Sequence, residues 1–214
     1  PCEGCLVMSP PGGVMLVTDG RADAERIEEM VTATVDVGLR CVQIREGDMP
    51  TRELARLCGR CRAILDEVDG WLVVNDRVDI AAADLAHGVH LGWRSLTPSD
   101  ARRVVGVRPV GFSAHDEGEI VWAVDQGADY VVLAPVHPTS SKPGAQALGT
   151  QAAMVMSRAV DVPVIWLGGI TAAKILEWRG FVPDGVAVMS AICDHSRPAE
   201  AAAEILQAWG EVQR

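Results

Sequence analysis

Two stretches in the second half of the chain carry residue types suited to gripping an anion. Pro138-Thr139-Ser140-Ser141-Lys142-Pro143-Gly144 follows the apolar run Asp129–Ala134, and Gly168-Gly169-Ile170-Thr171 follows Val164–Leu167. Small residues, hydroxyls and free backbone N–H groups at the carboxyl end of a strand, ahead of a helix, form a natural cradle for phosphate. A glycine pair alone is weak evidence, because a tight turn explains it equally well. Together, the two stretches point to a small phosphorylated substrate without naming a reaction.

Other polar residues recur at the ends of apolar runs. Gln43 and Arg45 end Cys41–Arg45, and Asn75-Asp76-Arg77 follows Trp71–Val74. His90 and Trp93 lie at the next such end, then Ser113 and His115, then His137 with Thr139, Ser141 and Lys142, and last Ser190. Each has a plainer reading. Asn75-Asp76-Arg77 and Ser113-Ala114-His115-Asp116 both suit helix starts. His90, on a buried strand, reads first as a hydrogen-bonded core histidine, and His137 reads equally as a base or as an exposed loop residue before proline.

The elements that must position these residues alternate from one end to the other. Strands are expected at Val14–Thr18, Cys41–Arg45, Trp71–Asn75, Gly88–Gly92, Pro109–Ser113, Asp129–Ala134, Pro163–Leu167 and Gly185–Met189. Helices are expected at 22–37, Thr51–Glu67, Val78–Leu85, from Pro98, at Asp116–Gln126 and Gly149–Ala159, near 172–179 and at Pro198–Val212. Such alternation implies parallel strands with right-handed crossovers. Eight units in 214 residues favour a single (β/α)8 barrel over an open sheet. Residues 1–13 read as an irregular leader and 14–214 as the barrel domain. Gly38, Gly88, Gly127 and Gly185, each just before a strand, suit left-handed helix stops. In such a barrel the strand ends converge on one rim, so the scattered polar residues become one candidate site.

Composition sets limits on function. A formal net charge of −10 argues against general nucleic-acid binding, and no run reaches the length of a membrane span. No basic segment followed by an apolar one marks a secretory signal, so a cytoplasmic location with reduced thiols is expected. Of the six cysteines, Cys2/Cys5 and Cys58/Cys61 have C-x-x-C spacing. Cys58 and Cys61 lie in a helical run, so core packing is the stronger reading than a zinc knuckle.

Gln43-Ile44-Arg45-Glu46, Asn75-Asp76-Arg77-Val78-Asp79, Gly88-Val89-His90-Leu91-Gly92 and Gly127-Ala128-Asp129-Tyr130-Val131 resemble the thiamin phosphate synthase/TenI superfamily. So do Pro138–Gly144, Gly168-Gly169-Ile170 and Gly185–Ile192, in one order along nearly the whole chain. The resemblance implies a TIM barrel acting in thiamin biosynthesis on thiazole phosphate, and related barrels imply a homodimer. It implies that Gly168, Gly169 and Ser190 hold the phosphate. In a synthase, Arg45, Asn75, Ser113, Thr139, Ser141 and Lys142 would surround an aminopyrimidine pyrophosphate, Gln43 would line the same pocket, and Asp76 would hold Mg²⁺.

The chain departs from the synthase pattern at two places. Gly47 stands where synthases carry a phosphate lysine, and Trp93-Arg94-Ser95 replaces Gln-x-Asp, whose Asp is a second metal ligand. A pyrophosphate leaving group needs metal and cations to neutralise its developing charge. The expectation is therefore a TenI-like, metal-independent enzyme of tautomerase type, with His137, Arg45 and Lys142 as catalytic candidates and no cofactor. The position of the tautomerase histidine is occupied by Pro135, so His137 would have to serve instead. A Mg²⁺-dependent synthase releasing pyrophosphate and a non-catalytic ligand-binding barrel are the alternatives.

Overall fold

The computed structural model describes residues 13–21, 23–139, 144–178 and 181–214. Eight strands run β1 (Gly13–Val17), β2 (Cys41–Ile44), β3 (Trp71–Asn75), β4 (Gly88–Leu91), β5 (Val110–Ala114), β6 (Tyr130–Leu133), β7 (Val164–Leu167) and β8 (Gly185–Val188). Every neighbour in chain order pairs parallel, and β8 returns to β1 with Gly13 opposite Gly185, closing the barrel. Parallel pairing requires a crossover between successive strands. The crossovers are α1 (Ala24–Asp36), α2 (Thr51–Asp66), α3 (Val78–Ala82), α4 (Pro98–Val105), α5 (Glu117–Asp125), α6 (Thr150–Ser157) and α7 (Ala172–Leu176). After β8 come α8 (Ser190–Cys193) and α9 (Pro198–Val212), the latter packed on α1 and α7.

Alternation along each strand sorts side chains into two cores. Met15, Val17, Cys41, Tyr130, Val132, Ile165 and Ala187 fill the barrel interior. Their neighbours Leu16, Val42, Val131, Trp166 and Val186 point outward and meet Ile27, Leu57, Ile120, Ile175 and Ile205 from the helices. The starts of α1, α4, α5 and α7 are fixed by side-chain caps, each worth ~1 kcal/mol. Asp23 accepts from Arg26 N at 2.9 Å, Asp116 from Glu119 N at 2.8 Å, and Thr97 from Asp100 N at 3.2 Å.

Several expectations are corrected in detail. Gly13 belongs to β1 rather than to the leader, and the other twelve leader residues lie outside the described residues. α3 stops at Ala82, three residues early, because Asp84 takes φ +62° and Leu85 N closes back on Ile80 O at 3.2 Å. The short α8 is additional. Gly38 and Gly127 have positive φ, but Gly88 and Gly185 do not. Their role is close approach: a Cβ on Gly88 would lie 2.6 Å from Pro109 O, and one on Gly185 2.9 Å from Gly13 O. Cys58 and Cys61 are buried on the inner face of α2, and burial pushes both thiols up to about 12. Cys2 and Cys5 lie outside the described residues, among which no group of three metal-ligating side chains occurs. No helix among the described residues is long and apolar enough to cross a membrane.

Candidate active site at the strand ends

The carboxyl ends of β2, β3 and β4 are joined by a chain of side-chain hydrogen bonds. Gln43, 3% exposed, points into the barrel and donates from Nε2 to Asn75 Oδ1 at 3.2 Å. Asn75 in turn donates from Nδ2 to Asp76 Oδ2 at 2.9 Å. Asp76 adopts φ +61°, and its backbone N–H donates to His90 O at 2.9 Å. Its other carboxylate oxygen accepts from the Ser95 hydroxyl, while Ser95 Oγ accepts from Gly92 N at 2.8 Å. Both oxygens of the one carboxylate are thereby held by neutral donors.

Arg45 is placed by the neighbouring turn. Its backbone N–H donates to Thr18 Oγ1 at 2.7 Å, leaving the guanidinium exposed at the rim. Glu46, the next residue, is buried and accepts from Gly20 N at 3.2 Å. Burial raises its pKa against the opposing hydrogen bonds from Thr18 and Gly20. Arg77 is drawn off the rim: its guanidinium is paired with Asp79 at 2.5 Å and donates to Thr51 Oγ1 at 3.0 Å.

Below the mouth, β4, β5 and β6 contribute a second polar chain. His90, 2% exposed, has Nδ1 3.2 Å from Tyr130 OH and Nε2 2.8 Å from Ser113 Oγ. Burial pushes the imidazole down to about 3, so the ring is neutral in ordinary buffers. Trp93 lies outside this interior, stacked on Trp122 with centroids 4.9 Å apart and edge-on to the outward-facing Phe112. His115 is engaged by Glu119, which accepts from its backbone N–H at 2.7 Å and contacts Nδ1 at 2.9 Å.

The ends of β6, β7 and β8 form the third region. Leu167 pairs with Ala187, so β7 and β8 leave the barrel side by side. The loop after β6 lies directly on the glycine pair: Val136 N donates to Leu167 O at 2.9 Å and His137 N to Gly168 O at 3.0 Å. Both glycines have positive φ, +104° and +62°. A Cβ on Gly168 would sit 2.8 Å from Pro135 Cα, and one on Gly169 2.5 Å from Pro138 O. Ser190 opens α8 just beyond β8. The N–H groups of Gly169, Ile170, Ser190 and Ala191 donate no backbone hydrogen bond among the described residues. Such donors at adjacent strand ends are what a phosphate needs.

His137 meets the glycine pair through its backbone, while its ring turns to Trp178. Its ring stacks on Trp178, 6.1 Å between centroids and 17° between planes, on the α7 side of the barrel wall. Burial first, and then the Lys174 charge, hold its pKa below the usual imidazole value, opposed by Glu177. Its Nε2 is buried and lacks a hydrogen-bond partner among the described residues. Thr139 is engaged by a neighbour, and Ser141 and Lys142 lie outside the described residues. The structure thus unites Gln43, Asn75, Asp76 and Ser113 at one end of the mouth and Gly168, Gly169 and Ser190 at the other. The anchoring of Arg45 by Thr18 and the grip of Ser95 on Asp76 escaped the sequence reading. A hydroxyl at the end of the first strand, and Ser95 five residues beyond His90, were the available signals.

These features define a single closed (β/α)8 barrel with its candidate site where such barrels carry theirs, at the carboxyl ends of the strands. The family model for thiamine monophosphate synthase (TMP-TENI) matches residues 14–192. The chain is 38% identical to a thiamine-phosphate synthase of Salinispora tropica over 206 residues, covering 94% of this chain and 99% of that one. It is 37% identical to a thiamine-phosphate synthase of Haloarcula marismortui over 207 residues, 94% and 98% of the two chains. Among solved structures, a thiamine phosphate pyrophosphorylase from Pyrococcus furiosus superposes with a TM-score of 0.83 at 27% identity, covering 94% of this chain and 97% of that one. The chain belongs to the thiamine monophosphate synthase family.

Proposed function

We propose that this chain is a TenI-like member of its family: a metal-independent, tautomerase-type enzyme that binds thiazole phosphate. The observation carrying this reading is the state of Asp76. In a synthase this carboxylate and a second one would hold Mg²⁺; here the second position is Ser95, whose hydroxyl donates to Asp76. Mg²⁺ sheds water reluctantly and is usually held by one or two carboxylates with substrate phosphates. Asp76 alone, with each oxygen already accepting one hydrogen bond from Asn75 or Ser95, offers such an ion a single protein carboxylate at the lower end of that range, which favours a site without a resident metal. Gly47, at the place of the phosphate lysine, removes a cation that a departing pyrophosphate would need.

The phosphate end of the site supports the same reading without a metal. Gly168, Gly169 and Ser190 offer backbone N–H groups and a hydroxyl, which suit a dianion in a protein of net charge −10. Arg45, Gln43, Asn75 and Ser113 are the groups we assign to the heterocycle, with Thr139, Ser141 and Lys142 contributing from the β6 loop. Tautomerisation needs one base and one acid beside an acidic carbon. The stacking of His137 on Trp178 favours a packing role for that ring, so the proton-transfer groups are sought among the mouth residues instead.

The second reading is a Mg²⁺-dependent synthase, favoured by the names of the relatives and by the retention of Asp76 beside Asn75. One assay separates the two. The protein is given thiazole phosphate with aminopyrimidine pyrophosphate, with Mg²⁺ or with a chelator, and pyrophosphate release is followed alongside isomerisation of the thiazole tautomer. Isomerisation that survives the chelator, without pyrophosphate release, is the expected outcome. Pyrophosphate release that stops on chelation would sink the TenI reading.

A further inference from the structure

Inside the barrel, Tyr130, His90 and Ser113 form a linear chain that begins in the core and ends at the mouth. Tyr130 is fully buried, and among the described residues its hydroxyl has His90 Nδ1 as its one hydrogen-bond partner, at 3.2 Å. At the other end, Ser113 is the penultimate residue of β5, partly exposed, with Oγ 2.8 Å from His90 Nε2. A neutral imidazole carries one ring proton, so this chain has two arrangements.

In the first, the phenol donates to Nδ1, Nε2 carries the proton and donates to Ser113 Oγ, and the serine proton is free. In the second, Ser113 donates to Nε2, Nδ1 donates to the phenol oxygen, and the phenolic proton is left with no acceptor. The two are unequal because the ends of the chain differ in exposure. A donor proton stranded at Tyr130 cannot reach water, and a buried unsatisfied donor is strongly disfavoured. A free proton at Ser113 meets solvent or ligand. The burial that keeps His90 neutral thus also orients its proton.

We propose that Tyr130 and His90 are positioning residues that hold His90 in the Nε2–H tautomer and so fix the Ser113 hydroxyl as a hydrogen-bond donor directed into the mouth. The mouth then selects a ligand presenting an unprotonated oxygen or nitrogen at that point and disfavours one presenting a donor. This assignment rests on the reading of the mouth as the ligand site, but the tautomer is measurable without any ligand. A bare glycine at position 111 is part of the device, since a Cβ there would lie 2.0 Å from Tyr130 Cζ.

The test is ¹⁵N NMR of the histidine rings in the full chain at neutral pH, with the His90 ring assigned by correlation to its own backbone resonances. A protonated Nε2 and a bare Nδ1 are expected. A protonated Nδ1, or a ring exchanging between both forms, overturns the proposal, and neither result depends on a variant folding. Thiazole phosphate is then titrated into wild type, Ser113→Ala and Ser113→Thr. Ser113→Ala should weaken binding about tenfold, the loss expected for one hydrogen bond, and Ser113→Thr should recover most of it. Equal affinity for all three overturns the donor role. Failure of wild type to bind removes the thiazole reading, while the nitrogen spectrum still decides the tautomer.

Discussion

The β7–β8 end of the mouth and the β3–β4 end are built from different materials. At β7–β8 the contact surface is backbone: two positive-φ glycines and the first residues of α8, wedged beneath the β6 loop. At β3–β4 it is side chain: an amide, a carboxylate and a hydroxyl in series from Asn75 through Asp76 to Ser95. A backbone grip survives most substitutions around it, because every residue supplies the same N–H. A side-chain array changes chemistry with a single replacement. On the proposed reading, that contrast accounts for a chain that keeps a backbone phosphate cradle at one end while carrying Ser95 beside Asp76 at the other.

The sharpest way to break the contrast is to put a side chain into the backbone end. Gly169→Asp adds an anion and a Cβ 2.5 Å from Pro138 O at φ +62°. It should abolish thiazole phosphate binding by calorimetry and cost a few kcal/mol of stability, roughly the scale of a strained backbone position with a close clash. Unchanged affinity would refute the assignment of the glycine pair to the ligand.

The barrel interior predicts a pH signature. The folded state holds His90 near 3, below its ordinary value of 6.5, so the neutral form is the one folding favours. Its contribution is complete above about 6.5 and falls away as pH drops toward 3, because the unfolded chain binds the proton first. Melting temperature should therefore decline between pH 6 and 4 in wild type and decline less in His90→Gln. Glu46 acts in the opposite sense: its raised pKa makes its contribution complete at low pH and lost as pH rises through the folded value. Parallel curves for wild type and His90→Gln would contradict the burial argument.

The side-chain end should respond in a graded way. Ser95→Asp restores a second carboxylate beside Asp76, and should lower stability by about 1 kcal/mol without metal through like-charge repulsion while raising Mn²⁺ affinity in a spin-resonance titration. Equal Mn²⁺ binding by wild type and variant would undercut the claim that Ser95 disables the site. The smallest effect is expected at His137. His137→Phe keeps a ring on Trp178 and should leave turnover within about twofold and stability within ~1 kcal/mol. Loss of turnover with an intact fold would return the histidine to proton transfer.

Much of this molecule was legible in order and type but not in contact. The placement of Gln43, Asn75, Ser113 and the glycine pair at strand ends followed from alternation alone, since the carboxyl end of each apolar run must face one rim. Helix boundaries depended on local backbone signals: α9, opened by Pro198, matched from Pro198 to Val212, while α3 ended early at Ala82, ahead of the positive φ of Asp84. Gly88 and Gly185 look in sequence like Gly38 and Gly127, yet they serve strand proximity rather than helix termination. Which ring packs where was beyond reach, because His137 and Trp178 are brought together only by closure of the β6 loop over β7.

The order of residues by itself determined the eight alternating units, hence a parallel barrel with one functional rim, because a strand period followed by a helix period leaves few other ways to bury both apolar faces. Tertiary structure alone decided that Ser95 occupies Asp76 and that Tyr130, His90 and Ser113 stand in line. Those contacts join residues from different strands and loops, and their distances are fixed by barrel closure and register rather than by any spacing along the chain.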